Sequence, residues 1–107
     1  MAHARTSRVA GMTELVVLRC LEEREMYGYE LAQAVRTLTA GELDLREGLL
    51  YPLLHAQAAA GHVASRRDVV AGRPRVYYRL TARGRRHLVS LRAEWQRVVQ
   101  AMAKALA

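Results

Sequence analysis

Glu47-Gly48-Leu49-Leu50-Tyr51-Pro52-Leu53-Leu54-His55 and Gly72-Arg73-Pro74-Arg75-Val76-Tyr77-Tyr78-Arg79-Leu80-Thr81 decide how this chain is read. The first stretch opens a helix: Leu50, Leu53, Leu54, Gln57 and Ala58 recur at helical spacing, and Gly61 suits the position just past a helix end. Pro52 has no backbone donor, which places it in the first turn or at an irregular start. The second stretch reads as the return strand of a hairpin. His62 to Asp68 and Arg75 to Leu80 alternate enough to pair around Val69-Val70-Ala71-Gly72-Arg73-Pro74, and Thr81 then caps a helix. A helix, then a hairpin crowded with arginine, then a helix is the pattern of a winged helix-turn-helix, a module suited to gripping duplex DNA.

Outward from this centre, Thr13 is the expected cap of a first helix. Its residues Leu15, Val16, Val17, Leu18, Cys20 and Leu21 place apolar side chains on several faces. A domain of this size covers only part of such a helix, so a partner subunit is its natural second cover. Gly28 punctuates the start of the next helix, where Leu31, Val35 and Leu38 form a core stripe ended by Ala40-Gly41. After Thr81, Leu88, Leu91, Trp95, Val98 and Met102 advance in steps of three and four, a seam of the coiled-coil type. Leu15, Leu18 and these five residues are the expected dimer interface. The fold class is mainly α with a small β-hairpin. Residues 1–11 read as a flexible arm, 12–81 as a winged helix-turn-helix DNA-binding domain, and 82–107 as a C-terminal dimerisation helix.

Composition narrows the function. The chain has 107 residues and a formal net charge of +7, which bounds it to one compact domain. Ten arginines lie between Arg66 and Arg97 against Asp68 and Glu94, so that segment carries +8 and the remainder sums to −1. Arginine-rich coding would explain the preference for Arg over Lys, which occurs only as Lys104, but not the clustering. The clustering points to an anionic partner. No apolar run is long enough for a membrane span, and the N-terminus lacks the apolar stretch of a secretion signal. The lone Cys20 lies in an apolar pattern that suggests a buried thiol, and the chain reads as cytoplasmic. The histidines at 3, 55, 62 and 87 have no metal-ligand spacing with each other or with Cys20, so no metal or cofactor is expected. No Gly-rich phosphate loop or nucleophile elbow supports an enzyme.

DNA contacts are assigned by position. Leu49, Tyr51 and His55 are expected on the face of the third helix away from the Leu50/Leu53/Leu54 stripe, with Arg46 just before it. Tyr27 and Gly28 lie at the N-terminus of the second helix, where backbone donors can hold a phosphate. Arg73 and Arg75 flank Pro74 in a stiff cationic loop suited to a phosphate or the minor groove. Blander roles stand beside these: a solvated His55, a core-filling Tyr51 and ordinary solvated loop charges at Arg73 and Arg75. The third helix carries no Arg or Lys from Leu49 to Ala60, so base reading rests on few side chains.

With Tyr27-Gly28-Tyr29-Glu30-Leu31 upstream of the two opening stretches, the chain resembles a PadR-type transcriptional regulator from about Met12 to Met102. Its length and single C-terminal helix are similar to the smaller branch of that family. The resemblance implies a winged-helix homodimer, joined through the C-terminal helix with help from the first, that represses transporter, stress or detoxification genes. It also implies that Trp95 stands where, in some short members, a tryptophan lines a pore between subunits and stacks planar aromatic compounds. The chain departs from the pattern at Leu49, where Thr or Ser is usual, and at Gln57, where Leu is common.

The function expected from the sequence is therefore a dimeric, sequence-specific, DNA-binding repressor of a pseudo-palindromic operator, relieved by a small aromatic ligand at Trp95. A winged-helix protein-interaction module and a nonspecific DNA-coating protein are the alternatives.

Overall fold

The computed structural model describes the backbone of residues 2–107 and the side chains of residues 11–107. The element order is α1 (Ala2–Glu23), β1 (Met26–Tyr27), α2 (Gly28–Leu38), α3 (Glu47–Ala59), β2 (Val63–Val70), β3 (Arg73–Leu80) and α4 (Ala82–Ala105). Thr13 lies inside α1 rather than at its start. The flexible arm expected over residues 1–11 falls, apart from Gly11, on residues whose side chains lie outside the described set.

Each helix buries one stripe in a common core: Val17, Leu18 and Leu21 from α1, Leu31 and Val35 from α2, Leu50 and Leu54 from α3, and Leu88 and Leu91 from α4. Met26, Val63, Tyr78 and Leu80 supply the sheet's share. Leu38, expected in the α2 stripe, is instead half exposed, because α2 ends there and the chain turns away. Cys20 is a free, buried thiol, as its apolar context implied, and burial pushes its pKa up.

The hairpin is tighter than its sequence suggests. Val70 pairs with Arg73, so the turn is only Ala71-Gly72, both with positive φ (51° and 77°). Two left-handed residues in succession give the primed turn whose twist matches the flanking strands. Pro74 is therefore in β3 opposite Val69 rather than in the loop. The sheet order is β1-β3-β2, and β1 pairs only with Tyr77 and Tyr78. The tip half of β3 thus has a strand on one side only, and the missing donor of Pro74 disrupts no ladder.

Two cap structures fix the ends that matter. At the C-terminus of α3, Gly61 takes φ 81°, with its N–H donating to Ala58 O (3.0 Å) and that of His62 to Gln57 O (2.9 Å). That pair of bonds is a Schellman motif. Thr81 Oγ1 accepts from the Gly84 N–H (2.9 Å) and donates to Gly61 O (2.7 Å), which ties the start of α4 to the end of α3. Pro52, expected in the first turn of α3 or at an irregular start, lies in its second turn. Its ring removes the bond that the Gly48 carbonyl would accept, at the exposed start of the helix.

The expected dimer seam needs correction. Leu18, Leu88 and Leu91 are 0 %, 1 % and 8 % exposed within one protomer, where α4 packs on α1. They are core residues and offer no surface to a partner. The apolar residues of α4 that stay open lie further on or to one side: Val89, Val99 and Met102 are exposed, as is Leu106 just past the helix end, and Trp95 and Val98 are half-buried. Leu15 of α1 is likewise half-buried against the core.

Candidate nucleic-acid interface

The start of α2 is held by charge and aromatic packing. The Tyr27 N–H donates to Glu30 Oε1 (3.3 Å), and the other carboxylate oxygen of Glu30 meets Arg24 (3.2 Å). The backbone donor expected at Tyr27 for a phosphate is therefore already engaged, with a carboxylate beside the positive helix end. What Tyr27 contributes instead is its ring. The ring stacks on Tyr29 (6.4 Å), meets Tyr77 edge-on (5.6 Å), and carries the Arg75 guanidinium 4.3 Å above its centroid. Sheet register explains this: Tyr27 faces Tyr77, and Arg75 follows two residues along the same face of β3.

Arg66 occupies the matching place on β2. It lies over the Tyr77 ring at 4.6 Å and pairs with Glu25 and with Asp68 (3.0 Å). Hydrogen bonding to Arg66 holds the Glu25 and Asp68 carboxyls below their usual pKa values. The charge of Arg66 is thus compensated inside the protein. Arg75 has no carboxylate partner among the described residues, although Asp68 is its register partner across the hairpin.

Between the start of α2, the connector into α3 and the tip half of β3 lies an open cleft of about 910 Å3. Tyr29, Arg36, Arg46, Tyr51, Arg73 and Arg75 are among the residues that line it. Arg36 is paired with Asp44 (3.1 Å), whereas Arg46, Arg73 and Arg75 make no ion pair among the described residues. Glu47 is the remaining acid on its wall. Three uncompensated guanidinium groups around one open cleft suit a run of phosphates, because Arg forks match phosphate oxygens and gain most where no internal acid competes.

On α3, Leu50, Leu54 and Gln57 face the core. At 100° per residue the opposite side carries Gly48, Pro52, His55 and Ala59, all exposed, with Leu49 and Tyr51 on its two flanks. His55 therefore stands on the outward face, toward its Tyr51 side, and it is the one residue of those four with a polar side chain. Leu49 is exposed at the edge of that face. Tyr51 is turned inward: its hydroxyl rests against Gly28, and it packs on the core.

The sequence of this chain matches the family described as "Transcriptional regulator PadR-like family" over residues 17–90. The chain belongs to the PadR-like family. A protein of Lysinibacillus sphaericus described as uncharacterized is 30% identical over 95 residues, covering 88% of this chain and 87% of that protein. A PadR family transcription regulator from hypervirulent Clostridium difficile R20291 superposes with a TM-score of 0.75 at 27% identity, covering 88% of this chain and 97% of the other. A transcriptional regulator from Clostridium thermocellum shares the fold with a TM-score of 0.82 at 24% identity, covering 92% and 96% of the two chains.

This PadR-like protein is thus a DNA-binding transcription regulator and not an enzyme. Among the described residues no helix is long and apolar enough to cross a membrane. Of the residues singled out in the sequence, the fold brings Tyr27, Arg46, Tyr51, Arg73 and Arg75 to one cleft. Leu49 and His55 lie outside its lining, on the exposed side of α3. Sequence reasoning missed Tyr29, an exposed ring beside the cleft, and Pro52 on the outward face of α3. Tyr29 was legible as part of Tyr27-Gly28-Tyr29, but its exposure follows from its place on the outer side of α2.

Proposed function

We propose that this PadR-like regulator is a homodimeric repressor that binds a pseudo-palindromic operator, with residues 12–81 as the DNA-binding unit and residues 82–107 as the dimerisation helix. The observation that carries the reading is the cleft edged by Arg46, Arg73 and Arg75, three cations without an internal carboxylate partner among the described residues. They hold phosphates and fix register, while α3 approaches the major groove with His55, Leu49 and Pro52 on its outward side. His55 donates to or accepts from a base edge, and the two apolar residues suit thymine methyl groups. Arg73, nearest the hairpin turn, reaches the next phosphate or the minor groove. The dimer forms through the open part of α4, where Glu94, Arg97, Val98, Ala101 and Met102 line a shallow groove, with Trp95 and the outer side of α1 adding to it. Bound across a promoter, such a dimer excludes polymerase.

A planar aromatic ligand acts at Trp95. A Cβ built on Gly11 would lie 3.4 Å from Trp95 Nε1, so one edge of the indole packs on α1 of its own protomer while the side chain stays half-buried. Two such rings across a two-fold axis would stack a flat compound between them. Release from DNA follows if that compound favours a dimer with misplaced recognition helices.

The test is genome-wide footprinting of bound sites, followed by transcript measurement with the gene deleted. Recovery of a shared palindrome beside genes whose transcripts rise supports repression. Uniform coverage of the chromosome supports a nonspecific coat instead, which the sparse polar content of the α3 face also fits.

A further inference from the structure

Away from the cleft, four polar side chains from three parts of the fold meet beneath the C-terminal end of α3. Glu14 comes from α1, Gln57 from the last turn of α3, His62 from the Schellman turn and His87 from the second turn of α4. Gln57 is buried, its Nε2 donates to Glu14 Oε2, and its Oε1 lies 2.7 Å from His62 Nδ1. His62 and His87 stack face to face, ring centroids 4.0 Å apart and planes within 7°. His87 Nε2 lies 3.3 Å from Glu14 Oε1, yet it is buried without a hydrogen bond.

The protonation pattern follows from donor and acceptor chemistry. An ionised carboxylate only accepts, so the amide nitrogen of Gln57 must face Glu14 and its carbonyl must face His62. A carbonyl only accepts, so His62 carries its proton on Nδ1. In the neutral imidazole its Nε2 is then an unprotonated lone pair. The backbone of His62 is fixed as well: its N–H donates to Gln57 O, its carbonyl accepts from the Thr81 N–H (3.1 Å), and Gly84 packs directly against that carbonyl.

We propose that Glu14, His62 and His87 form a binding site for a divalent transition ion of the Zn2+ class. One ligand atom from each lies within 4.8 Å of the other two. Zinc bonds of about 2.0–2.1 Å in tetrahedral geometry put ligand atoms roughly 3.4 Å apart. Closing the set takes a tilt of the two stacked rings toward a shared point at their edge. The two imidazoles are borderline donors, and with one carboxylate they make a set that suits Zn2+ better than Mg2+ or Ca2+, which take mainly oxygen ligands. Gln57 is the positioning residue, since it fixes the His62 tautomer and orients Glu14 from outside the ligand set. Leucine at this position would do neither. Arg83, whose side chain lies over Gly61, works against a cation here. A bound ion would clamp α1, the end of α3 and α4 into one unit, which fixes the recognition helix relative to the dimerisation helix.

The experiment uses the untagged full chain carrying His3→Ala, so that the N-terminal histidine does not contribute. Zn2+ is titrated by calorimetry, and Co2+ is followed by its visible d–d absorption. The site predicts one ion per chain, a low-coordinate Co2+ spectrum displaced by Zn2+, a thermal midpoint raised by Zn2+, and no response to Mg2+. His87→Gln and Glu14→Gln should each weaken Zn2+ binding by at least about 10-fold, and Gln57→Leu by about 10–100-fold although it is no ligand. If the His87 variant fails to fold, the Co2+ spectrum of the His3→Ala parent still decides. Absence of a low-coordinate Co2+ spectrum in that protein overturns the proposal and leaves a hydrogen-bonded polar cluster. Equal Zn2+ affinity in folded Glu14→Gln and His87→Gln proteins overturns it too.

Discussion

The Tyr51 hydroxyl sits against Gly28 so closely that a Cβ built at position 28 would lie 2.9 Å from Tyr51 Cζ and 3.2 Å from Cε1, closer still to the hydroxyl oxygen. The contact joins the start of α2 to the first turns of α3 and so sets the angle at which the recognition helix leaves the domain. Tyr51 is a spacer between two helices, and Gly28 is glycine because nothing larger fits.

Gly28→Ala should therefore destabilise the domain by about 1–3 kcal/mol, the cost of overpacking a fixed contact. Chemical denaturation measures it. Adding Tyr51→Phe to Gly28→Ala should recover only part of the loss, because it removes the oxygen but leaves Cζ 2.9 Å from the new Cβ. Additive effects of the two changes would show that the contact does not set stability.

Arg73 and Arg75 should separate in experiment although both flank Pro74. Arg73→Ala should weaken binding to all duplexes alike and lower the salt slope by up to about one unit. Arg75 is held on the Tyr27 ring, so Tyr27→Leu should reproduce part of the Arg75→Ala effect by releasing the guanidinium, a contact worth ~0.5–1 kcal/mol at an exposed site. Anisotropy titrations at several salt concentrations test both. An unchanged affinity in Tyr27→Leu would remove the positioning role.

On α4 the two ends should respond differently. Val99→Glu with Met102→Glu should give a folded monomer, since both residues are exposed in the protomer. Leu91→Glu should unfold the domain instead, because it buries a charge in the core. Sedimentation and circular dichroism distinguish the outcomes. A dimer that survives Val99→Glu/Met102→Glu intact would place the interface elsewhere.

The chain has one tryptophan, so its fluorescence reports Trp95 alone. Planar dyes should quench it and bind more weakly to Trp95→Ala, with a further gain of ~0.5–2 kcal/mol for cationic dyes if they stack on the indole. Equal affinity in wild type and Trp95→Ala would leave Trp95 as a packing residue.

Much of the fold was legible because local chemistry agreed with tertiary structure: Gly61 as the end of α3, Thr81 as the cap of α4 and buried Cys20 all follow from residue type and neighbours. The α4 seam was misread because steps of three and four mark a buried stripe without saying who buries it. Leu88 and Leu91 are buried in the core of their own protomer, where α4 packs on α1. Gln57 read as a departure from a leucine pattern, and only the fold brings Glu14, 43 residues away, to satisfy it. His62 and His87 likewise have no ligand spacing in sequence, yet the cap linking α3 to α4 stacks them. Arg73 and Arg75 look equivalent in the chain, and β-register alone sends Arg75 onto Tyr27.

Selection of bound duplexes from a random library, followed by affinities for the enriched and a shuffled sequence at two salt concentrations, tests the central claim most directly. The expected result is an enriched pseudo-palindrome with half-sites about 10 base pairs apart, centre to centre. Its duplex should be preferred over the shuffled one by at least about 10^3-fold, with both affinities falling as salt rises. Salt-dependent binding with no enriched sequence, or equal affinity for the two duplexes, would contradict it.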